Sequence, residues 1–370
     1  MKIALERSQL LSALSLVAGV VERRQTLPIL GNVLIVAEGE GISLKATDLE
    51  LEIGTAAQAK IEKPGAVTVP ARKLLDICRN LPDGAQINLR TEGERATIVS
   101  DRSRFSLSTL SADDFPVMEM GAVELTLDIE QVVLRRLLDK TAFAMAQQDV
   151  RYYLNGVLLE LQPERLTAVA TDGHRLAKVT AGVDAAVTAD LEQPLQVIVP
   201  GKTVQELRRV LGTEGNMVRL EFSQRTMRLL AGNAVLTSKL VDGRYPEYER
   251  VIPKNLERQA TVNKELLRAA LQRTAILSNE KYKGVRVSFS DSTLALQSNN
   301  PEKEEAEDAI EISYQGIETT IGFNVSYVLD VLNVISDDAV EVFFRDGDSS
   351  AVWQGEGASD ETFVIMPMRL

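Results

Sequence analysis

The chain has 370 residues, of which 45% are apolar, 25% charged and only 5% aromatic, and its net charge is −12. That length allows two or three domains with cores of Leu, Val, Ile and Ala, in the balance usual for a soluble globular protein. No run of about 18 apolar residues is free of charge, which excludes a membrane-spanning helix. The N-terminal MKIALERSQLLSALSLVAGVV is interrupted by Glu6 and Arg7 and lacks a signal-peptide cleavage pattern. A single cysteine, Cys78, permits no internal disulfide and fits a reducing cytoplasm. A single histidine, His174, argues against a Ser–His–Asp triad or a multi-histidine metal site. The acidic net charge argues against nucleic-acid binding, but a sum is silent about separate faces.

Taken in chain order, the predicted elements recur three times. A short strand leads into an amphipathic helix over 6–20; longer helices are predicted again over 128–147 and 263–278, with Asp128 and Asn263 as N-caps. Each is followed by two alternating strands joined by a short connection, over 32–53, 156–179 and 284–308. Val33, Val157 and Val285 align there, as do Ala46-Thr47-Asp48, Ala170-Thr171-Asp172 and Ser298-Asn299-Asn300. Each copy then has a second helix that turns into an alternating strand, over 69–89, 199–222 and 323–344. So long a period means domain duplication rather than a solenoid. Three α+β domains are expected, with antiparallel sheets buried on one face under helices: 1–121, 122–252 and 253–370, with boundaries beside Gly121 and Pro253.

Catalytic signals are sparse. Neither a Walker A string nor a strand-to-helix GxGxxG is present, no metal site or cofactor is indicated, and His174 lacks an evident nucleophile partner. An enzyme using Asp48 or Asp172 is one alternative, and an acidic scaffold that binds only proteins is another. Basic residues recur on the helices: Arg72, Lys73 and Arg79; Arg135, Arg136 and Lys140; Lys202, Arg208 and Arg209; Lys264, Arg268 and Arg273. They read either as ordinary solvated faces or as a phosphate-binding lining. The second helix of the third copy has no Lys or Arg, so such a lining is not uniform. An acidic run, Asn300 to Asp308, contains Glu302, Glu304 and Glu305. It is either a solvated loop or the complement of Lys73, Arg95, Arg102 and Arg104 in the first copy, steering association.

The strings TLPILGNVL (26–34), FSLSTLSADDFP (105–116), QDVRYYLNGVL (148–158), VATDGHRLA (169–177), LVDGRYPEYERVIPKN (240–255), FNVSYVLDVLN (323–333) and VIMPMRL (364–370) span the whole chain. Together they resemble the bacterial DNA sliding clamp family, the beta subunit of DNA polymerase III. The resemblance implies three DNA-clamp domains and a head-to-tail homodimeric ring, with helices lining the hole and sheets outside. It implies a non-catalytic processivity factor that encircles duplex DNA and recruits the polymerase III alpha subunit, the clamp loader, other polymerases and repair proteins through short peptides. It implies DNA contacts at Arg24, Arg72, Gln148, Tyr152, Tyr153 and Lys202, although pattern alone also allows Tyr152 and Tyr153 to be core and edge residues of a strand.

The resemblance also implies a peptide pocket of Leu154, Thr171, Gly173, His174, Arg175, Leu176, Pro246, Arg250, Val251, Tyr327, Ser350, Val364, Met366, Pro367, Met368, Arg369 and Leu370. Met366 and Met368 suit adaptable docking, and Arg175 and Arg250 are expected to frame a peptide's polar groups. Asp348 stands where an apolar residue is expected. Pattern alone reads the C-terminal Val-Ile-Met-Pro-Met as a final core strand. For ring closure the resemblance points to Phe105, Leu107, Ile276 and Leu277 as the apolar contacts.

Overall fold

The structure, a computed structural model, describes residues 1–22, 27–184 and 193–369. The first copy contains β1 (Lys2–Glu6), α1 (Arg7–Val17), β2 (Asn32–Glu38), β3 (Gly41–Thr47), β4 (Leu51–Gln58), β5 (Lys60–Lys63), β6 (Gly65–Pro70), α2 (Ala71–Asn80), β7 (Gln86–Glu92), β8 (Arg95–Ser100) and β9 (Ser103–Ser108). The second contains β10 (Leu125–Glu130), α3 (Gln131–Asp139), β11 (Gly156–Gln162), β12 (Arg165–Thr171), β13 (Arg175–Gly182), β14 (Leu195–Pro200), α4 (Gly201–Val210), β15 (Met217–Phe222), β16 (Thr226–Ala231) and β17 (Ala234–Lys239). The third contains β18 (Arg258–Asn263), α5 (Lys264–Ala275), β19 (Gly284–Ser290), β20 (Thr293–Asn299), β21 (Glu305–Glu311), β22 (Thr319–Asn324), α6 (Val325–Val334), β23 (Ala339–Phe344), β24 (Ala351–Gly355) and β25 (Glu361–Ile365).

The helices form where apolar residues recur three and four apart. α1 buries Leu10, Ala13, Leu14 and Val17, and α5 buries Leu267, Ala270, Leu271 and Thr274, at matching positions. Asn263 caps α5 by accepting the Leu266 amide at 3.0 Å. Asp128 does not cap α3. It lies on β10, opposite and ion-paired with Arg219 at 2.8 Å, and that arginine holds its carboxyl below the usual range. The helix expected over 128–147 is therefore shorter. It begins at Gln131 and stops at Asp139, and a single tight turn follows at Ala142–Ala144. Cys78 is fully buried on α2, and desolvation pushes its thiol up to about 12, as befits a structural residue.

All strand pairings are antiparallel among the described residues. The chain divides into two compact units, residues 1–135 with 205–240 and residues 136–204 with 241–370. The first unit has a five-stranded sheet, β5-β1-β7-β8-β9, and an eight-stranded sheet, β10-β15-β16-β17-β4-β3-β2-β6. The second has an eight-stranded sheet, β14-β11-β12-β13-β25-β24-β23-β18, and a four-stranded sheet, β21-β20-β19-β22. Units and repeats do not coincide because each eight-stranded sheet joins strands of successive copies. β4 pairs with β17, setting Leu51 opposite Ser238, and β13 pairs with β25, setting Arg175 opposite Ile365. These are the same two strands of the repeat at both junctions. Their remaining counterparts, β9 and β21, are the open edges of the two smaller sheets.

Candidate docking pocket, basic faces and open edges

Most of the expected pocket residues gather in the second unit. Leu154, Leu176 and Val364 are buried in one apolar cluster with Leu158, Val169, Ile198, Tyr245, Tyr248 and Val352; Tyr153 and Phe343 pack against it. Leu154 ends a one-turn helix, while Leu176 and Val364 face each other across β13 and β25. Met366, Pro367, Met368, Tyr327 and Ser350 are half-buried around the cluster, and His174, Pro246, Arg250, Val251 and Arg369 are exposed. The Met366 amide donates to the His174 carbonyl at 2.9 Å, which fixes the tail beside the turn. Asp348 is exposed on a turn, its amide donating to Asp346. Arg24 and Leu370 lie outside the described residues. Sequence reasoning missed Tyr245 and Tyr248. The signal was present in the repeat, where Tyr245 and Tyr248 of YPEYER match Phe115 and Met118 of FPVMEM.

The turn between β12 and β13 is built by its own side chains. Thr171 Oγ1 donates to the Arg175 carbonyl at 2.6 Å and accepts the Gly173 amide at 3.1 Å. Asp172 Oδ1 accepts the His174 and Arg175 amides at 2.8 and 3.0 Å. Gly173 has φ +90°, and a Cβ there would lie 3.1 Å from the Arg151 guanidinium. The two arginines differ from each other. Arg250 pairs with Glu247 at 2.6 Å on the exposed surface, and Arg175 is 11% exposed with its guanidinium bonded internally.

The equivalent junction in the first unit shows why the pocket belongs to the second. Where that pocket presents Val169, Leu176, Ile198, Val352 and Val364, the first junction has Lys45, Glu52, Thr68, Arg228 and Thr237. Most of these polar groups have partners nearby. Glu52 takes Lys45 at 3.4 Å and the Met118 amide at 3.1 Å; Thr68 Oγ1 donates to the Leu110 carbonyl at 3.0 Å; and Arg228 Nε pairs with Glu221 at 2.7 Å. The frame is repeated, but its apolar surface is not.

The loop before β11 carries the other expected contacts. Asn155 closes it by exchanging two hydrogen bonds with Asp149, each 2.9 Å. Arg151 bonds Asp149 at 2.8 Å, which lowers that carboxyl to about 2. Gln148, with φ +55°, is exposed, as are Val150 (94%) and Tyr152 (58%). Tyr152 meets Tyr153 edge-on at 5.9 Å, in a one-turn helix rather than a strand.

The helices are less basic at their surfaces than the sequence suggests. Arg136 and Lys140 pair with the buried Glu361, Arg209 bonds Glu206 and the Ser15 carbonyl, Arg273 pairs with Asp308, and Arg268 pairs with Glu265. Arg72 donates to the Val21 carbonyl at 2.7 Å. Lys202 occupies the position on α4 that Arg72 has on α2, and Ser326 takes that place on α6.

In the first copy, Lys73 on α2 and Arg102 and Arg104 at the β9 edge have no ion-pair partner among the described residues, and Arg95 reaches only Ser106. Phe105 is half-buried and Leu107 nearly covered, whereas Ile276 is 77% exposed. Across a cleft of about 490 Å³, Ile276 faces the loop that carries Pro301, Glu302 and Glu304. Glu305 lies exposed on β21, and Asp308 is already held by Arg273.

Three copies of one helix-backed sheet unit, with an apolar cluster at the junction in the second unit, define a protein of repeated clamp domains. Descriptions of the DNA polymerase III beta subunit N-terminal, central and C-terminal domains match residues 1–119, 128–247 and 249–369. The beta sliding clamps of Pseudomonas putida and Escherichia coli are 49% and 46% identical, with all of each chain covered. The crystal structure of the DNA polymerase III subunit beta from Pseudomonas aeruginosa superposes with a TM-score of 0.95 at 48% identity over 100% of both chains. A structure of that organism's sliding clamp bound to griselimycin gives 0.96 at 48% identity, again over 100% of both chains. The chain belongs to the beta sliding clamp family, the beta subunits of DNA polymerase III. No helix among the described residues is long and apolar enough to cross a membrane.

Proposed function

We propose that this chain pairs head to tail with a second copy to form a ring around duplex DNA. The ring slides without sequence preference and acts as a non-catalytic processivity factor for DNA polymerase III in the cytoplasm. The observation that carries this reading is the pair of open edges. β9 and β21 are the counterparts of strands that pair at both interior junctions, so a second copy is what each edge lacks. Side chains at the paired positions Ile53 and Leu236, and Ala177 and Phe363, are fully buried, whereas Phe105 and Ala306 at the open edges are not.

Carrying the interior register to these edges sets Phe105 opposite Ala306 and Arg104 opposite Glu307. Chains with Arg104→Cys and Glu307→Cys in a Cys78→Ser background should form a doubly cross-linked dimer on oxidation. A cross-link obtained only after moving one cysteine along its strand would refute this register.

The exposed cations and the loop carrying Gln148 and Tyr152 supply contacts to the phosphate backbone that are weak and salt-sensitive, as sliding requires. The apolar pocket recruits the polymerase alpha subunit, the clamp loader, other polymerases and repair proteins through short peptides, raising their effective concentration at the DNA. Encirclement is tested on nicked circular DNA. The protein, once loaded, should stay on the circle and leave when the circle is cut. Equal retention on both forms would mean ordinary surface binding.

A further inference from the structure

We propose that Arg175 is a positioning residue of the docking pocket, anchoring the Thr171–Arg175 turn to α6 and to the chain after α3 rather than meeting the bound peptide. The proposal rests on the reading of this pocket as a peptide site. Each nitrogen of the guanidinium is occupied: Nε by Asp172 Oδ2 at 3.2 Å, Nη1 by Asp330 Oδ2 at 2.5 Å, and Nη2 by the Phe143 carbonyl at 2.6 Å. Its plane also stacks near Tyr327 at 4.5 Å and Phe143 at 5.2 Å. A planar fork held at all three nitrogens is fixed in place: two of its five N–H donors stay uncommitted, but a peptide could not redirect the group without breaking charged bonds.

The first copy shows that the turn itself does not need an arginine. At the matching turn Thr47 Oγ1 donates to the Leu51 carbonyl and accepts the Leu49 amide, and Asp48 Oδ1 accepts the Glu50 and Leu51 amides. Those four bonds are the ones seen at Thr171 and Asp172, yet Leu51 stands where Arg175 does. Arg175 therefore adds the placement of a turn that already folds. From Asp330 and Tyr327 the connection runs through Arg175 and Asp172 to the His174 amide, and the carbonyl of that same residue accepts the Met366 amide of the tail. Both sides of the pocket are thus set against one guanidinium.

A double-mutant cycle of Arg175→Ala and Asp330→Ala tests this, with griselimycin as the probe and calorimetric titration as the measurement. Each single change should weaken binding on the order of tenfold, and the pair no more than either alone, because both break one linkage. In Arg175→Ala the Met366 amide should exchange hydrogen faster while the β11 amides keep their protection. If Asp330→Ala binds normally while Arg175→Ala does not, the arginine is a direct contact and the proposal fails. Leu176→Glu, which installs the Glu52 of the polar junction in the first unit, checks the pocket separately. If griselimycin still binds that variant tightly, the pocket reading fails, and the positioning role is then decided by Met366 exchange alone.

Discussion

Replacing Glu361 with Ala should lower stability by about 3–5 kcal/mol, read as a shift of the urea midpoint at fixed protein concentration. Glu361 is 3% exposed and opens β25, the strand that leads into the pocket tail. Its carboxylate receives Lys140 Nζ at 2.6 Å and Arg136 Nη2 at 2.8 Å. Lys140 is itself only 9% exposed, so removing the carboxylate strands a buried ammonium. Arg136 retains Asp360 and suffers less. The double variant Glu361→Met with Lys140→Met should recover most of the loss, because two apolar side chains of similar size leave no unpaired charge. If Glu361→Ala alone proves nearly neutral, the ion pairs do not hold β25 in place.

The second large effect is expected at the ring closure. Ile276→Ala with Leu277→Ala should give a folded monomer that no longer stays on circular DNA. In the first and second copies the positions equivalent to Leu277 are Val20 and Ala144, and both are fully buried, whereas Leu277 is only half-buried. Ile276 is a large apolar side chain left 77% exposed at this edge. Truncating a side chain that association buries costs about 2–5 kcal/mol, so even the lower figure, taken twice, weakens each interface roughly a thousandfold. The charges at the edge do less, because exposed pairs contribute about 0–1 kcal/mol each. Sedimentation of the double variant as an intact dimer would remove Ile276 and Leu277 from the interface.

Much of the candidate pocket was legible in the sequence, because its motifs are contiguous: VATDGHRLA carries the turn and VIMPMR the segment that bonds to it. The partners of Arg175 could not. Phe143 and Asp330 are remote in the chain, and no spacing rule links them to the turn. The same limit explains Asp128, which has the right residue type to cap a helix but is drawn into β10 by pairing with β15 and Arg219. It also explains the basic helices, whose cations look solvated until Glu361 and Asp308 arrive from distant strands.

The sequence by itself determined the threefold β/α unit, the helix and strand periodicities, and the equivalence of Val33, Val157 and Val285. Such patterns are local, and repetition makes them visible. The tertiary structure alone decided how β4 meets β17 and β13 meets β25, which of the two junctions is apolar, and which cations remain unpaired. Those outcomes depend on strands and charges brought together from far apart in the chain, where the free energy lies in the contact and leaves no periodic trace.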